Sequence, residues 1–234
     1  QNTVYAISYP SGAFTSLSGE ASYVGTAYTF KTILQEYTMW VWGRNQGGLL
    51  GLNAAHPSNT SRSSPVQLPG TTWGDVGGVK TDGTLWMWGW GGMGQLGQND
   101  IIDRSSPVQV PGTTWKYAFS QPYNSFGIKT DGTLWSWGYN EGGRLGINHA
   151  NKRSSPTQIP GTTWPTSNEN QFAYAQNQTC TAAIKTDGTL WTWGANNEGS
   201  LGLNNLTQYS SPVQIPGTTW KCLSKWYSNG FVAT

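Results

Sequence analysis

The stretch Lys129-Thr130-Asp131-Gly132-Thr133-Leu134-Trp135-Ser136-Trp137-Gly138 recurs almost letter for letter as Lys80 to Gly89 and as Lys185 to Gly194. A worn copy, Thr38-Met39-Trp40-Val41-Trp42-Gly43, keeps the second half. A chain that repeats one such unit must stack its copies, because a single unit cannot bury its own apolar face. Each copy reads as the centre of a hairpin. Lys-Thr closes one strand, and Asp-Gly supplies two residues that tolerate φ > 0, as a tight I′ turn demands. Thr-Leu-Trp-x-Trp then begins the return strand with β-branched and aromatic residues. The two Trp are two apart, so they share a strand face that must be covered by another sheet.

The Trp-Gly pairs fall at Trp42, Trp88, Trp137 and Trp193, at intervals of 46, 49 and 56 residues. That is the spacing of four-stranded propeller blades. After each pair comes a Gly/Asn-rich loop ending in Leu-Gly, such as Asn140 to Gly146; the second copy carries Gly91 in place of the Asn. Then comes Ser-Ser-Pro-x-Gln-x-Pro-Gly-Thr-Thr-Trp, at 63–73, 105–115, 154–164 and 210–220. Prolines at both ends make this an outer, edge strand. The segment between that Trp and the next Lys-Thr varies most, and after Trp73 it is too short for a normal two-strand hairpin. The sequence thus predicts an all-β fold, one propeller over 1–234 with complete blades at about 18–70, 73–112, 115–161 and 164–217. A fifth, closing blade combines 220–234 with 3–17, so that N- and C-terminal strands share one blade and leave no free sheet edge.

The run Asp-Gly-Thr-Leu-Trp-x-Trp-Gly-x-Asn-x-x-Gly-x-Leu-Gly resembles the repeat of the regulator of chromosome condensation family, over roughly residues 36–234. The resemblance implies a β-propeller. Founding members of that family are seven-bladed and include the chromatin-bound exchange factor for the Ran GTPase. This chain has fewer repeats and no basic tail, so exchange activity does not carry over. Its uncharged, Asn/Ser/Thr/Gly-rich character is more like the exported bacterial, bacteriophage and viral members.

Charged residues make up only 10% of the chain and the formal net charge is +2, so electrostatics offers no case for nucleic acid. No apolar run is long enough for membrane insertion. The chain opens on Gln1 rather than Met, as a processed chain or a fragment does. His56 and His149 lie in polar loops with no repeating carboxylate or nucleophile beside them, so the chain reads as non-enzymatic. No metal-ligand spacing and no cofactor motif is present, and Gly89-Trp90-Gly91-Gly92-Met93-Gly94 belongs to a β repeat rather than a phosphate loop.

Twelve of the 14 Trp occupy repeat-equivalent positions. They read as packing between blades, with a ring of sugar-stacking tryptophans as the alternative. Trp90 and Trp226 break the pattern. Trp90 holds the position of Arg44, Tyr139 and Ala195, just after Trp-Gly, where near-identical copies differ. Arg44, Trp90, Tyr139 and Trp226 are therefore the candidate ligand or partner surface. Lys80, Lys129 and Lys185, with Asp82, Asp131 and Asp187, form rings that read as a turn Asp beside a solvated Lys, or as a charged rim for an anion. Arg62, Arg104 and Arg153, with Tyr209 at the fourth place, form a second ring suited to holding loop carbonyls, with ligand capture as the alternative. Cys180 and Cys222 either strap the last complete blade to the closing one by a disulfide or stay as buried free thiols.

The expected function is binding or structural display, outside the cytoplasm or on a virion or cell surface, as in a phage fibre tip or an adhesin. Its partners would be a cell-surface glycan or protein receptor, or a virion assembly. The alternative is a secreted propeller that binds or inhibits a protein through loop aromatics.

Overall fold

The computed structural model describes residues 4–7, 28–31, 38–53, 61–70, 78–165, 172–174, 179–225 and 231–234. Trp73, Trp226 and His56 lie outside them. The chain forms two compact units, Gln1–Glu36 and Tyr37–Thr234. In the first, β1 (Val4–Ile7) pairs antiparallel with β2 (Tyr28–Lys31). The sequence assigns these two strands to different blades, 3–17 and 18–70; in the structure they pair with each other.

The second unit is a succession of antiparallel sheets. Its strands are β3 (Trp40–Gly43), β4 (Arg62–Gln67), β5 (Trp86–Gly89), β6 (Arg104–Gln109), β7 (Trp115–Ser120), β8 (Asn124–Lys129), β9 (Leu134–Gly138) and β10 (Arg153–Gln158). They continue as β11 (Phe172–Tyr174), β12 (Cys180–Ile184), β13 (Leu190–Gly194), β14 (Tyr209–Ile215), β15 (Leu223–Lys225) and β16 (Phe231–Ala233). Strands β7–β10 form one four-stranded meander and β11–β14 another, while β3–β4, β5–β6 and β15–β16 are two-stranded among the described residues. The Ser-Ser-Pro strand lies at a sheet edge in both meanders. Its register against the Trp strand slips at the proline, between Arg153 and Thr157 in one blade and opposite Thr192 to Gly194 in the other. Proline has no N–H to give the ladder, so the strand bulges there.

The Asp-Gly turn departs from the expected I′ form. Gly132 N–H donates to Lys129 O (3.1 Å) and Lys129 N–H to Thr133 O (3.0 Å), with the same pair of bonds at Lys80 and Lys185. Only the glycine is left-handed, at φ 79° for Gly83, 77° for Gly132 and 79° for Gly188. This is a three-residue loop, a type I turn followed by a glycine bulge. Its cause is the following threonine. Asp131 Oδ1 accepts both the N–H (3.0 Å) and the Oγ1–H (2.7 Å) of Thr133, which anchors the Asp side chain across the turn and leaves the left-handed position to glycine.

The core lies between consecutive sheets. Val79, Leu85, Met87, Leu96 and Val110 pack against Trp115, Ala118 and Trp137 of the next blade. Phe126, Ile128, Leu134, Leu145 and Ile159 likewise meet Trp164, Ala183 and Trp193. In each seam an indole donates to the preceding blade's loop. Trp88 Nε1 donates to Leu49 O (3.1 Å), Trp137 Nε1 to Gln95 O (2.8 Å) and Trp193 Nε1 to Arg144 O (3.0 Å). An indole of ~150–250 Å² stabilises such a seam by roughly 4–6 kcal/mol before ordering costs. The first copy differs: Trp40 and Trp42 are 51% and 62% exposed.

Candidate functional site

Both readings of the lysine ring gave the ammonium to solvent or to a ligand. The structure places it between tryptophans. Lys129 Nζ lies 4.9 Å from the Trp115 ring and 4.5 Å from Trp135; Lys185 Nζ lies 4.7 Å from Trp164 and 4.4 Å from Trp191. Lys80 Nζ sits 4.3 Å over Trp86. Lys129 and Lys185 therefore each tie a turn to the indole that opens their own blade and the indole of the return strand. The facing Trp is oriented by the turn itself, since Trp135 Nε1 donates to Thr133 Oγ1 (2.9 Å), which donates onward to Asp131. The hydrogen bonds from Thr84, Thr133 and Thr189 hold the carboxyls of Asp82, Asp131 and Asp187 below the usual carboxylate range. In each of these turns the aspartate, threonine and return-strand tryptophan are joined by hydrogen bonds, with the lysine over the tryptophan ring.

The arginine ring behaves unevenly. Arg104 bonds the Ile102 carbonyl (3.3 Å) and pairs with Asp100 at 2.5 Å. Arg153 instead meets the His149 ring (2.8 Å), and Arg62 is exposed. The disulfide is not formed. Cys180 and Cys222 are not bridged to each other: Cys180 is buried against Leu201, Leu203 and Tyr209, and Cys222 is exposed just before β15. Their different strand positions turn them to different surroundings, so neither the strap nor a pair of buried thiols results.

Three of the loops after Trp-Gly are braced by their asparagine, Asn45, Asn140 or Asn196. Buried Asn140 accepts from Leu145 N–H (2.8 Å) and donates to the His149 (2.7 Å) and Asn151 (3.0 Å) carbonyls. Asn196 repeats this with Leu201, Asn205 and Thr207. In the second copy Gly91 has no side chain to do so, and Asp103 Oδ1 accepts its N–H instead (2.8 Å). So braced, each loop presents the residue just before the asparagine position, which is Arg44, Trp90, Tyr139 or Ala195 in turn.

Two of these come together around a third aromatic. Trp90 meets Tyr123 edge-on with ring centroids 5.9 Å apart, and Tyr123 meets Tyr139 the same way at 6.3 Å. Trp90 is 39% and Tyr123 42% exposed. Tyr139 is fixed from below, with Arg144 4.9 Å under its ring and its hydroxyl donating to Glu141 (2.5 Å). That bond to a carboxylate raises the Tyr139 phenol above its ordinary value, and burial lowers that of Arg144. On the other side, Trp90 closes a cavity of about 270 Å³ with Gln46, Gly47 and exposed Leu49. The result is a strip of partly exposed rings crossing three loops of two consecutive repeats. Arg44 is exposed but contributes nothing to it in the described contacts. Tyr123 was missed by repeat alignment because it sits in the β7–β8 turn, within the segment that differs in every copy. Its one sequence signal is an aromatic after Pro122 in a turn.

Blades of four antiparallel strands, stacked face to face and keyed by indoles, define a β-propeller architecture. The regulator of chromosome condensation (RCC1) repeat matches residues 82–119, 131–168 and 187–222, and the chain is a member of that family of repeat propellers. No curated protein matches it in sequence. Among solved structures it is similar to human WBSCR16, with TM-score 0.57 and 23% identity over 80% of this chain and 51% of that one. It is also similar to Prp20p of Saccharomyces cerevisiae, with TM-score 0.65 and 16% identity over 89% of this chain and 57% of that one. The yeast protein in complex with Kap60 gives TM-score 0.64 at 16% identity, over 89% and 56%. The chain thus spans little more than half the length of these structures.

Proposed function

We propose that this propeller is a non-enzymatic recognition module of a cell or virion surface, and that it engages its partner through Trp90, Tyr123 and Tyr139. The observation that carries the reading is the strip itself: three edge-packed aromatics left partly exposed on braced loops, in a chain whose other described tryptophans mostly fill seams. Rigid Trp and Tyr give contact area at little ordering cost, which is why they dominate binding hot spots. A near-neutral surface supports a neutral partner such as a glycan rather than a polyanion.

The second reading, a protein partner, is favoured by the exposed apolar side chains Leu49, Ile101 and Ile102. The related yeast structure, solved with Kap60 bound, supports the same class of partner.

The test is binding of labelled protein to a broad glycan array and to intact microbial cells, with Trp90→Ala and Tyr139→Ala alongside. Selective binding that both variants lose is the expected result. Binding that both variants retain refutes the strip, and silence on every glycan and cell directs the search to a soluble protein.

A further inference from the structure

Resting on the reading that the aromatic strip binds a neutral glycan, the recess beside Trp90 defines which part of a glycan the strip grips. The recess exists because one loop position is filled differently in the first copy. Leu49, Gln95 and Arg144 are equivalent, since the carbonyl of each accepts an indole N–H of the next blade, from Trp88, Trp137 and Trp193. Gln95 turns inward and is buried, its Oε1 accepting from Met93 N–H (2.9 Å) and its Nε2 donating to Pro122 O (3.0 Å). Arg144 is buried too, its Nε donating to Glu141 O (2.9 Å) beneath the Tyr139 ring. Leucine has no polar atom for such bonds. Leu49 stands 51% exposed, and beside it the cavity of about 270 Å³ opens between Gln46, Gly47 and Trp90.

Trp90 is a fixed wall of that cavity. A Cβ at Gly92 would stand 2.9 Å from Trp90 Cζ2 and 3.1 Å from its Nε1, so the indole lies against bare backbone. The other copies carry Gln46, Glu141 or Asn197 at the place of Gly92, and none of them has Trp at the place of Trp90. Tyr123 packs edge-on against the ring with centroids 5.9 Å apart, while the cavity takes its other side.

Two polar groups border the same space. Gln46 is exposed and lines the cavity with its amide. Asp103 holds Gly91 N–H with one carboxylate oxygen (2.8 Å). Its other oxygen lies 3.7 Å from where a Cβ on Gly47 would stand, a point that is itself 3.8 Å from Trp90 Cβ. Glycine at this left-handed position (φ 65°) therefore leaves that oxygen open toward the cavity.

These walls select the occupant. The volume lies below the ~300–1,000 Å³ of sites that take drug-sized ligands, so the recess holds one ring rather than a length of peptide. Among the described residues no Lys or Arg lines it, and a carboxylate borders it, so an anion is disfavoured. The indole and Leu49 offer an apolar wall, while the amide and the carboxylate accept hydroxyl protons. A pyranose has both complements, an apolar C–H face and a rim of hydroxyls. We propose that this recess is the primary subsite of the strip and holds one neutral pyranose ring, with its C–H face on Trp90 and Leu49 and its hydroxyls on Gln46 and Asp103. Tyr123 and Tyr139 carry the units that follow.

The test measures the affinity of the full chain for the glycan that an array selects, with a panel of free neutral monosaccharides as competitors. Asp103→Asn keeps an oxygen for Gly91 N–H and replaces the second oxygen by an amide nitrogen. Gln46→Ala removes the other polar group, and Leu206→Ser, at an exposed position on a different loop, is the control. The expected result is displacement by at least one free monosaccharide, a loss of about ten-fold or more in affinity for Asp103→Asn and for Gln46→Ala, and parental binding by Leu206→Ser. Glycan binding that Tyr139→Ala abolishes but that neither Asp103→Asn nor Gln46→Ala weakens, or that no free monosaccharide displaces, overturns the subsite and leaves the strip standing. Silence on every glycan overturns both.

Discussion

Lys129→Met separates the two uses to which a ring of lysines can be put. Its ammonium lies between two indoles, 4.9 Å from Trp115 and 4.5 Å from Trp135. A cation over an indole is worth about 0.5–1 kcal/mol at an exposed site and about 2 when desolvated. Lys129 is half-buried, so each face contributes near the lower figure, and the two together give about 1–2 kcal/mol. Methionine keeps a stem of similar length and removes the charge, so packing is largely conserved. Lys129→Met should lower the unfolding free energy by about 1–2 kcal/mol, while Lys129→Arg, which also stacks on aromatic faces, should change it by less than about 0.5 kcal/mol. Urea unfolding followed by tryptophan fluorescence reads this as a lower midpoint at unchanged slope. A Lys129→Met protein as stable as its parent would refute the reasoning and return the lysine ring to ligand capture.

Three further outcomes follow from the same contacts. Trp137→Phe deletes the buried bond to Gln95 O and leaves a void at a fully buried position, so unfolding stability should fall by about 2–3 kcal/mol; a loss below ~0.5 would mean the indole does not key the seam. Gly143→Ala and Gly199→Ala both strain a backbone at φ 74°, but among the described residues only the first also meets a neighbouring Cα, Ser210, at 2.6 Å. Thermal melts should therefore show Gly143→Ala as the more damaging by about 1–3 kcal/mol, and equal losses would contradict the seam geometry. The folded-state pKa values of Asp82, Asp131 and Asp187 lie below their unfolded values. Their stabilisation is thus present above the unfolded carboxylate range, near pH 4, and is lost as pH falls through the lowered folded values. Asp131→Asn should flatten that acid limb of the stability curve, and an unchanged limb would argue against the turn bonds.

The architecture was legible because its causes repeat. Trp-x-Trp spacing, Asp-Gly turns and proline-bounded segments each recur in register, so hairpins, edge strands and sheet-on-sheet packing followed from local rules. The turn type escaped because it depends on a competition the letters do not rank: Thr133 and its counterparts lock the aspartate, leaving the left-handed position to glycine alone. The lysines escaped for a different reason, since a ring partner such as Trp115 lies on another strand, fourteen positions before Lys129. In the binding strip, Trp90 and Tyr139 stood out because matched loops differ there. Tyr123 did not, because its turn has no aligned counterpart. The exposure of Trp42 was hidden for the same reason that Trp137 was clear: identical letters occupy an exposed position in one copy and a buried one in another.

The central claim is that recognition belongs to the exposed aromatics and stability to the half-buried lysine–tryptophan sandwiches. The most direct measurement is the affinity of the labelled protein for intact microbial cells, compared for the parent, Tyr123→Ala and Lys129→Met. The account predicts that Tyr123→Ala loses about thirty-fold or more, the effect of a hot-spot aromatic worth about 2 kcal/mol, while Lys129→Met binds as the parent does. Loss of binding in Lys129→Met with Tyr123→Ala unaffected would contradict it and assign recognition to the charged ring.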